Sequence, residues 1–575
     1  MKINCSFEKI DKLVLIVVIF IASLLRIYNL STNPPSLTPD EAALGYNAYS
    51  ILKTGKDEHG KFLPLIIESF GDYKPALYVY FVIPFVFFLG LTELSVRLPS
   101  AIAGIFAIFL IYKILKEFFD NLKNQEKNQK LSKIYYFAPL VASFLLAVSP
   151  WHIAFSRGGW EANVSLTITL FGILMFIRGV KNYKCLIFSF FAFALTLLTY
   201  QGAKLSSLIV FFVLVLVFYQ ELLKDFRGKI FYLLVSFIVS FIVIFPVLLS
   251  FRAGEAGRLE VFSVFSYPRS EEYINQFLQR ANEQKGDLQY YLFHNEALNF
   301  ARGILGRWFN HFSGRFLFFE GDWQNPRHLP PNHGVLLFAD VLFLVLGFYS
   351  LFKINSLKLS VFVVSWLIIS PLPAVLSRDQ VHAVRSLNML IPLTIICAFG
   401  FIYFVDFLDK SKNWLIRSSL FGFLFTSYLV SFIYFIDAYF IHQPIHNAKH
   451  WQFGYKQVVQ SLKLYIESEN KIIFQQSYAQ PYIYYLFYSQ YDPRKLQARK
   501  LERYKENRHD VSLVKSIDSI YFENFSWPKH AEEGSIIVGN EISIPSDFDK
   551  WSGYELVSRI KNLDGSIAFT VVKVK

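Results

Sequence analysis

KLVLIVVIFIASLLRIYNL (residues 12–30) runs directly into STNPPSLTPDEAALGYNAYSIL (residues 31–52), and the reading of that join decides the fold. The first stretch supplies the roughly 20 mostly apolar residues that one helix needs to cross a bilayer core. Lys2, Lys9 and Lys12 precede it and no small-x-small cleavage site follows it. It therefore reads as an uncleaved anchor with a cytoplasmic N-terminus. The second stretch breaks the apolar run with Pro34, Pro35 and Pro39 and then places Asp40 and Glu41 ahead of a helical pattern just outside the membrane.

Working outward, similar apolar runs recur at 75–92, 96–119, 134–151, 162–179, 184–200, 204–220, 229–250, 334–352, 359–377, 385–406 and 414–437. The expected fold class is a polytopic all-α membrane protein of about 11–12 hydrophobic helices. Composition agrees: 575 residues are 54% apolar and only 18% charged, with 62 Phe, against roughly 25% charged in a soluble chain. An ordinary soluble enzyme and a disordered chain are both excluded. Cys5, Cys185 and Cys397 are far apart and offer neither a disulfide framework nor a zinc knuckle. The net charge of +13 points to basic cytoplasmic loops and phospholipid, not to nucleic acid.

Lys and Arg placement orients the helices. Lys123, Lys127, Lys130 and Lys133, then Arg178, Lys181 and Lys184, then Lys224, Arg227 and Lys229, then Lys353 and Lys358 mark cytoplasmic turns. The external loops are then 31–74, 152–161, 251–333 and 378–385. The run 75–92 begins at Pro75 and carries Pro84; it fits the alternation only as a kinked, re-entrant or interfacial helix, which leaves eleven full crossings. The chain divides into a membrane domain, 1–437, and a small extracytoplasmic α/β domain, 438–575. In the latter HWQFGYKQVVQSLKLYI (450–466) and PYIYYLFYSQY (481–491) read as helices, and KIIFQQ, SIYFENF, SIIVGN and AFTVVKVK as strands. The loop 251–333 is too long to be a mere connection.

The candidate chemistry lies in the external loops. FGDYKPALYVY (70–80) contributes Asp72 and Lys74. SPWHIAFSRGGWEANVSL (149–166) crowds Trp151, His152, Arg157, Trp160, Glu161 and Asn163 between two spans, TYQGAKL (199–205) adds Tyr200, Gln201 and Lys204, and SRDQVHAVRSLNMLIP (377–392) adds Arg378, Asp379, His382 and Arg385. An N-cap role for Asp40 and Glu41, a snorkelling role for Lys74 and a plain Arg157–Glu161 helix pair are the structural alternatives. Ionisable clusters at a membrane boundary are nevertheless functional candidates. External Arg in a short loop calls for an anionic partner, a lipid headgroup or a substrate phosphate.

The order of these motifs resembles the GT-C membrane glycosyltransferases, in the branch of the protein O-mannosyltransferases and lipid A aminoarabinose transferases. PDEAALGYNAYSIL is similar to the first-loop Asp-Glu motif. DYKPALYVY is similar to the Lys-Pro-Pro motif with Ala76 at the second proline, and SVRLPSAIAG (95–104) and SPWHIAFSRGGWEAN to the segments that follow. The resemblance implies a sugar donor on a polyprenyl phosphate. By matched position it makes Asp40 the base or acceptor-binding group, Glu161 the second acid and Lys74 the phosphate contact; together with the loop residues read above, catalysis is expected on Asp40, Glu41 and Glu161 and donor-phosphate binding on Lys74, Arg157, His382 and Arg385. Other substrate contacts fall to Asp72, Tyr73, Trp151, His152, Trp160, Asn163, Tyr200 and Lys204. Where the lipid A branch has an acid directly before the lysine this chain has Tyr73, so a divalent metal ion is left open and no other cofactor is expected. The expected partners are the lipid-linked sugar, the bilayer and an acceptor protein, lipid or glycan; the expected place is the plasma membrane. A transporter or lipid flippase is the alternative, and it predicts charges at mid-membrane and a repeat in two halves.

Overall fold

Proline and charge break the apolar runs into helices of unequal length, and that breakage shapes the molecule. The computed structural model describes residues 2–125, 133–224, 226–254, 263–354, 356–477, 479–499, 501–505 and 511–575. Lys127 and Lys130, used above to orient the chain, lie outside them. Each of the twelve apolar runs contains a helix. The N-terminal half comprises α1 (Lys2–Ile27), α2 (Pro39–Thr54), α3 (Leu77–Leu89), α4 (Glu93–Gln125), α5 (Ala138–Val148), α6 (Pro150–Arg157), α7 (Glu161–Gly179), α8 (Lys184–Thr196) and α9 (Ala203–Val217).

Among the described residues six helices are long and apolar enough to cross a membrane, or seven if α5 and α6, bent by 56°, form one broken span. Eleven complete crossings is thus more than length and composition support among the described residues. The difference has physical causes. The 13 residues of α8 and the 15 of α9 reach about 20–23 Å at 1.5 Å per residue, short of a hydrocarbon core of ~30 Å, while the 13-residue α3 with Pro84 inside is as short as its expected kinked, re-entrant or interfacial place requires. Pro150 starts a new helix capped by Ser149.

The bundle sorts its ends. Phe118, Phe176, Phe218 and Phe362 meet through ring contacts of 6.0–6.3 Å. Arg178 pairs with Glu117 at 2.7 Å and Lys358 pairs with Glu221 at the same end. The start of α7, with Glu161, lies about 27 Å away along the helix axis. The basic turns and the acid-rich loops therefore occupy opposite ends of the bundle.

The membrane part is not wholly α-helical. Strands β1 (Ile66–Ser69) and β2 (Asp72–Pro75) form a hairpin in register Ser69↔Asp72. Its turn residues, Phe70 and Gly71, have φ of 58° and 73°, the left-handed pair that a two-residue turn matching strand twist demands. Lys74 accordingly lies in strand β2, one residue before its end.

In the C-terminal region the strands are β3 (Ile472–Gln475), β4 (Arg503–Tyr504), β5 (Leu513–Val514), β6 (Ser516–Ile517), β7 (Ile520–Glu523), β8 (Ile536–Gly539), β9 (Tyr554–Lys561) and β10 (Ile567–Val574). Six of them make a mixed sheet in the order β6-β7-β3-β8-β10-β9, with β3 parallel to both neighbours. The four strands read from the sequence are β3, β7, β8 and β10; the helix Pro481–Tyr488 lies within its expected segment and the helix Tyr455–Glu467 ends one residue beyond its own. Residue 437 is not a structural break, because the last apolar helix continues through Trp414–His446. Nor does this region keep a core to itself. Leu37, Tyr46 and Val79 share one buried cluster with Phe474, Tyr482 and Phe487. The approach is close: a Cβ at Gly45 would meet the Phe487 ring at 2.5 Å. Burial of each such aromatic contributes about 1.5–3 kcal/mol, so the C-terminal region is seated firmly over α2 and the hairpin.

Candidate active site

Helix α2 begins with a reciprocal cap. Thr38 Oγ1 accepts the Glu41 N–H at 3.2 Å, and the Glu41 carboxylate accepts the Thr38 N–H at 2.9 Å. The S/T-x-x-E spacing encodes this. The cap turns Glu41 inward, where its Oε1 also accepts from Arg97 Nε (3.1 Å) and from the Gly159 N–H (2.7 Å). Arg97, fully buried, spends its other donors on the carbonyls of Leu30, Pro34 and Ser36. Glu41 is therefore a frame residue, and one position away Asp40 faces the opposite way.

Asp40 opens into a cavity of about 770 Å³, which it lines with Asp72, Tyr73, Lys74, Glu161, Tyr200, Lys204, Arg327 and Arg385. Asp72 and Lys74 arrive on β2, Glu161 at the first turn of α7, and Lys204 at the first turn of α9. Lys74 donates to Asp40 Oδ1. Enclosure opposes charge on Asp40, but Lys74 and Arg327 together hold its carboxyl below the ordinary aspartate range. Burial likewise opposes charge on Lys74, yet Asp40, Glu161 and Asp72 raise its pKa and keep it protonated. Arg385 reaches Asp379 at 2.7 Å, and Lys204 lies over the Phe251 ring at 4.4 Å. Among the described residues Arg327 takes part in no hydrogen bond or ion pair. Its guanidinium is the least committed cation of the wall.

Seven of the residues expected at the site do not line this cavity. Glu41 is engaged as described. Arg157, fully buried, donates to the carbonyls of Leu25 and Asn33 at 2.9 Å and lies over the Phe440 ring; it fastens the first loop. His152 meets Arg26 at 2.8 Å, Trp151 Nε1 donates to the Ala383 carbonyl at 3.2 Å, and Asn163 donates to the Ser100 carbonyl at 2.8 Å. Trp160 packs among Phe155, His328 and Trp451. His382 lies behind the cavity, and burial beside Arg385, His328 and His311 pushes it well below the ordinary imidazole value, so it is neutral at pH 7. It offers no charge to a phosphate.

His382 belongs instead to a cluster with Asp322 and His328, whose ligand-type atoms lie within 4.8 Å of one another. Asp322 Oδ2 accepts from His328 Nδ1 at 2.6 Å and from the Ala383 N–H at 2.8 Å, while Oδ1 accepts from Asn325 at 2.9 Å. Both carboxylate oxygens are committed to protein donors, which fixes the proton on His328 Nδ1. These are the residue types that could hold a divalent cation, as a carboxylate-oriented histidine beside a second histidine.

Two lining residues carry no sequence signal strong enough to single them out. Arg327 sits in GDWQNPRH within the long loop 251–333, where its only mark is an arginine flanked by proline and histidine. Gln480 comes from the C-terminal region and bears no charge.

No family model matches this chain, and no curated protein matches it in sequence. Among solved structures, ArnT from Cupriavidus metallidurans bound to undecaprenyl phosphate is similar over 97% of this chain and 97% of its own, at TM-score 0.52 and 11% identity. The same protein in the apo state is similar over 99% and 98%, at TM-score 0.52 and 12% identity. The archaeal oligosaccharyltransferase AglB from Archaeoglobus fulgidus, in complex with an inhibitory peptide and a dolichol-phosphate, aligns over 84% of this chain and 64% of its own at TM-score 0.49 and 13% identity. At these identities the likeness to ArnT is one of architecture, and it runs from end to end: the chain is a multi-pass membrane protein with the GT-C fold and a C-terminal α/β region.

Proposed function

We propose that this protein is a membrane glycosyltransferase that moves a sugar from a polyprenyl-phosphate donor to an acceptor on the extracytoplasmic side, with inversion at the anomeric carbon. One observation carries the reading: Asp40 shares a single cavity with Lys74, Arg327, Arg385 and Lys204. A carboxylate base and a set of cations are the two things that such a reaction needs. The structural neighbour ArnT has been solved with undecaprenyl phosphate, a ligand of the same chemical class as the proposed leaving group.

The barrier to transfer is charge separation, because the anomeric carbon becomes cation-like while the phosphate departs. Lys74, Arg327 and Arg385 stabilise the phosphate as negative charge builds on it. The acceptor oxygen forms its bond to the anomeric carbon as the bond from that carbon to the phosphate oxygen breaks. Asp40 takes the acceptor proton, and polyprenyl phosphate leaves. A single displacement of this kind inverts configuration, as in inverting glycosidases with an acceptor hydroxyl in place of water. The Lys74–Asp40 contact gives the sequence an order. While the cavity is empty of donor, Lys74 neutralises Asp40 and weakens it as a base. A donor phosphate competes for Lys74 and releases Asp40 at the moment when a base is needed.

The transporter or flippase alternative has no comparable support, since the charges gather at the two ends of the bundle and not at mid-membrane. The test is release of undecaprenyl phosphate from labelled undecaprenyl-phosphate sugars by the purified protein in detergent. Transfer or slow hydrolysis by the wild type, and a rate about 10²–10⁴-fold lower in Asp40→Asn, is expected. Equal turnover by both removes Asp40 from the chemistry.

A further inference from the structure

Gln480 precedes the helix Pro481–Tyr488 and lies in the left-handed region, at φ 61°. It lines the same cavity as Asp40, beside Pro39, Phe70 and Val511, and is 1% exposed. Its backbone is satisfied: the N–H donates to the Ser477 carbonyl at 3.0 Å, and its own carbonyl accepts the Ile483 N–H at 3.1 Å. Its side chain is not. Among the described residues neither Oε1 nor Nε2 has a hydrogen-bond partner, and the side chain does not cap the helix that it precedes.

Packing alone would not put an amide there. Each buried donor or acceptor left unmet costs about 1–3 kcal/mol, whereas an apolar side chain of the same shape costs nothing of the kind. The left-handed backbone at a non-glycine residue adds further strain. The position is held in spite of this. One turn along the same helix, Tyr484 donates to the Leu37 carbonyl at 3.0 Å and stacks on Tyr455 with ring centroids 4.2 Å apart. Tyr482 meets Phe70 edge-on at 6.0 Å. The hairpin is clamped from the same side by the Ser512 N–H on the Phe70 carbonyl at 2.7 Å and by Arg503 on Glu68 at 2.5 Å. Gln480 is thereby fixed between the start of α2 and the hairpin turn.

The cavity wall divides its chemistry. Lys74, Arg327, Arg385 and Lys204 suit an anion, and Asp40, Asp72 and Glu161 suit a proton or a cation. A neutral amide that donates and accepts at once suits a hydroxyl. We propose that Gln480 binds a hydroxyl of the donor sugar between Asp40 and Phe70, so that the C-terminal region forms a selective wall of the site. This inference rests on the glycosyltransferase reading and adds to it the residue that distinguishes one sugar from another. A site built to pair a hydroxyl rejects a ligand without it far more strongly than an apolar wall can.

The experiment compares thermal shifts of the full-length protein in detergent with undecaprenyl phosphate and with undecaprenyl phosphate carrying glucose, mannose or 4-amino-4-deoxyarabinose. Wild type is expected to respond to the bare lipid and to bind at least one glycoside more tightly. Gln480→Leu is expected to keep the bare-lipid response, to lose at least tenfold in affinity for that glycoside, and to melt no lower than wild type without ligand. Gln480→Met repeats the measurement with side-chain length retained. If both variants keep the extra affinity for the glycoside, or if wild type prefers no glycoside over the bare lipid, the role of Gln480 is overturned while the lipid-phosphate reading stands. If wild type responds to no polyprenyl phosphate at all, the functional reading fails and this inference fails with it.

Discussion

Asp40 and Glu41 are adjacent in sequence and belong to two different regions of the molecule. Glu41 faces a frame of buried charge with Arg97, beside Arg157 and the Arg26–His152 pair. Asp40 faces a cavity with Lys74, Arg327 and Arg385. Both regions are rich in ionisable groups at the same end of the bundle, so the density of charge does not tell them apart. Commitment does. Arg97 delivers its donors to one carboxylate and three backbone carbonyls, whereas Arg327 has no such partner among the described residues. A framework residue spends its hydrogen-bonding capacity on the protein; a site residue keeps some for a ligand.

Breaking each side of the comparison gives opposite signatures. The largest effect is expected from Asp40→Asn, which lowers sugar transfer by about 10²–10⁴-fold, the usual contribution of a general base, while the melting temperature in detergent falls only by the small contribution of the Asp40–Lys74 contact. Arg97→Met does the reverse. It strands Glu41 as a buried, unpaired carboxylate and is expected to cost about 3–5 kcal/mol of stability, read as a lower melting temperature and a loss of monodisperse protein. An Arg97→Met protein as stable as wild type would show that the frame carries no load.

Arg327 sharpens the comparison from within the cavity. Loss of one charged hydrogen bond to the donor phosphate costs about 1.5–3 kcal/mol, roughly a 10- to 150-fold rise in the apparent dissociation constant. Arg327→Ala should show this in titrations with undecaprenyl phosphate, and Arg157→Lys, on the frame side, should not. The smallest effect is a shift with pH. Lys74 and Arg327 depress the Asp40 carboxyl in the folded protein, so the ionised form persists as pH falls below the ordinary aspartate value of 3.8. The stability from the Asp40–Lys74 contact is complete above that value and is lost as pH drops through the lower folded one. The acid limb of kcat/KM is therefore expected below pH 3.8, and Lys74→Met should move it upward.

Much of this was legible in the sequence because it is local. Apolar runs announce helices, and the acids after Pro39 announce a helix start, although the cap itself is Thr38 with Glu41 and not Asp40. Asp40, Lys74 and Glu161 stand where loops meet spans. What escaped depends on atoms that no short window contains. Arg157 resembles a phosphate ligand until the carbonyls of Leu25 and Asn33 occupy it, and His382 until burial among Arg385 and two other histidines strips it of charge. The hairpin escaped because its Phe70-Gly71 turn is short and its strands carry only a weak alternation. Arg327 was hidden in a long loop, where positive-inside reasoning has little power. Gln480 was hidden by neutrality: an amide gives no charge pattern, and only its unmet hydrogen bonds in the folded chain draw notice.

The position of a bound phosphate tests the central claim most directly. Cryo-electron microscopy of the full-length protein with undecaprenyl phosphate should place the phosphate within hydrogen-bond distance of Lys74 and Arg327, on the Asp40 side of the cavity, with the isoprenoid tail leaving between the helices. A phosphate seated elsewhere, for example against Arg157 or at the basic turns near Arg178 and Lys358, would contradict it.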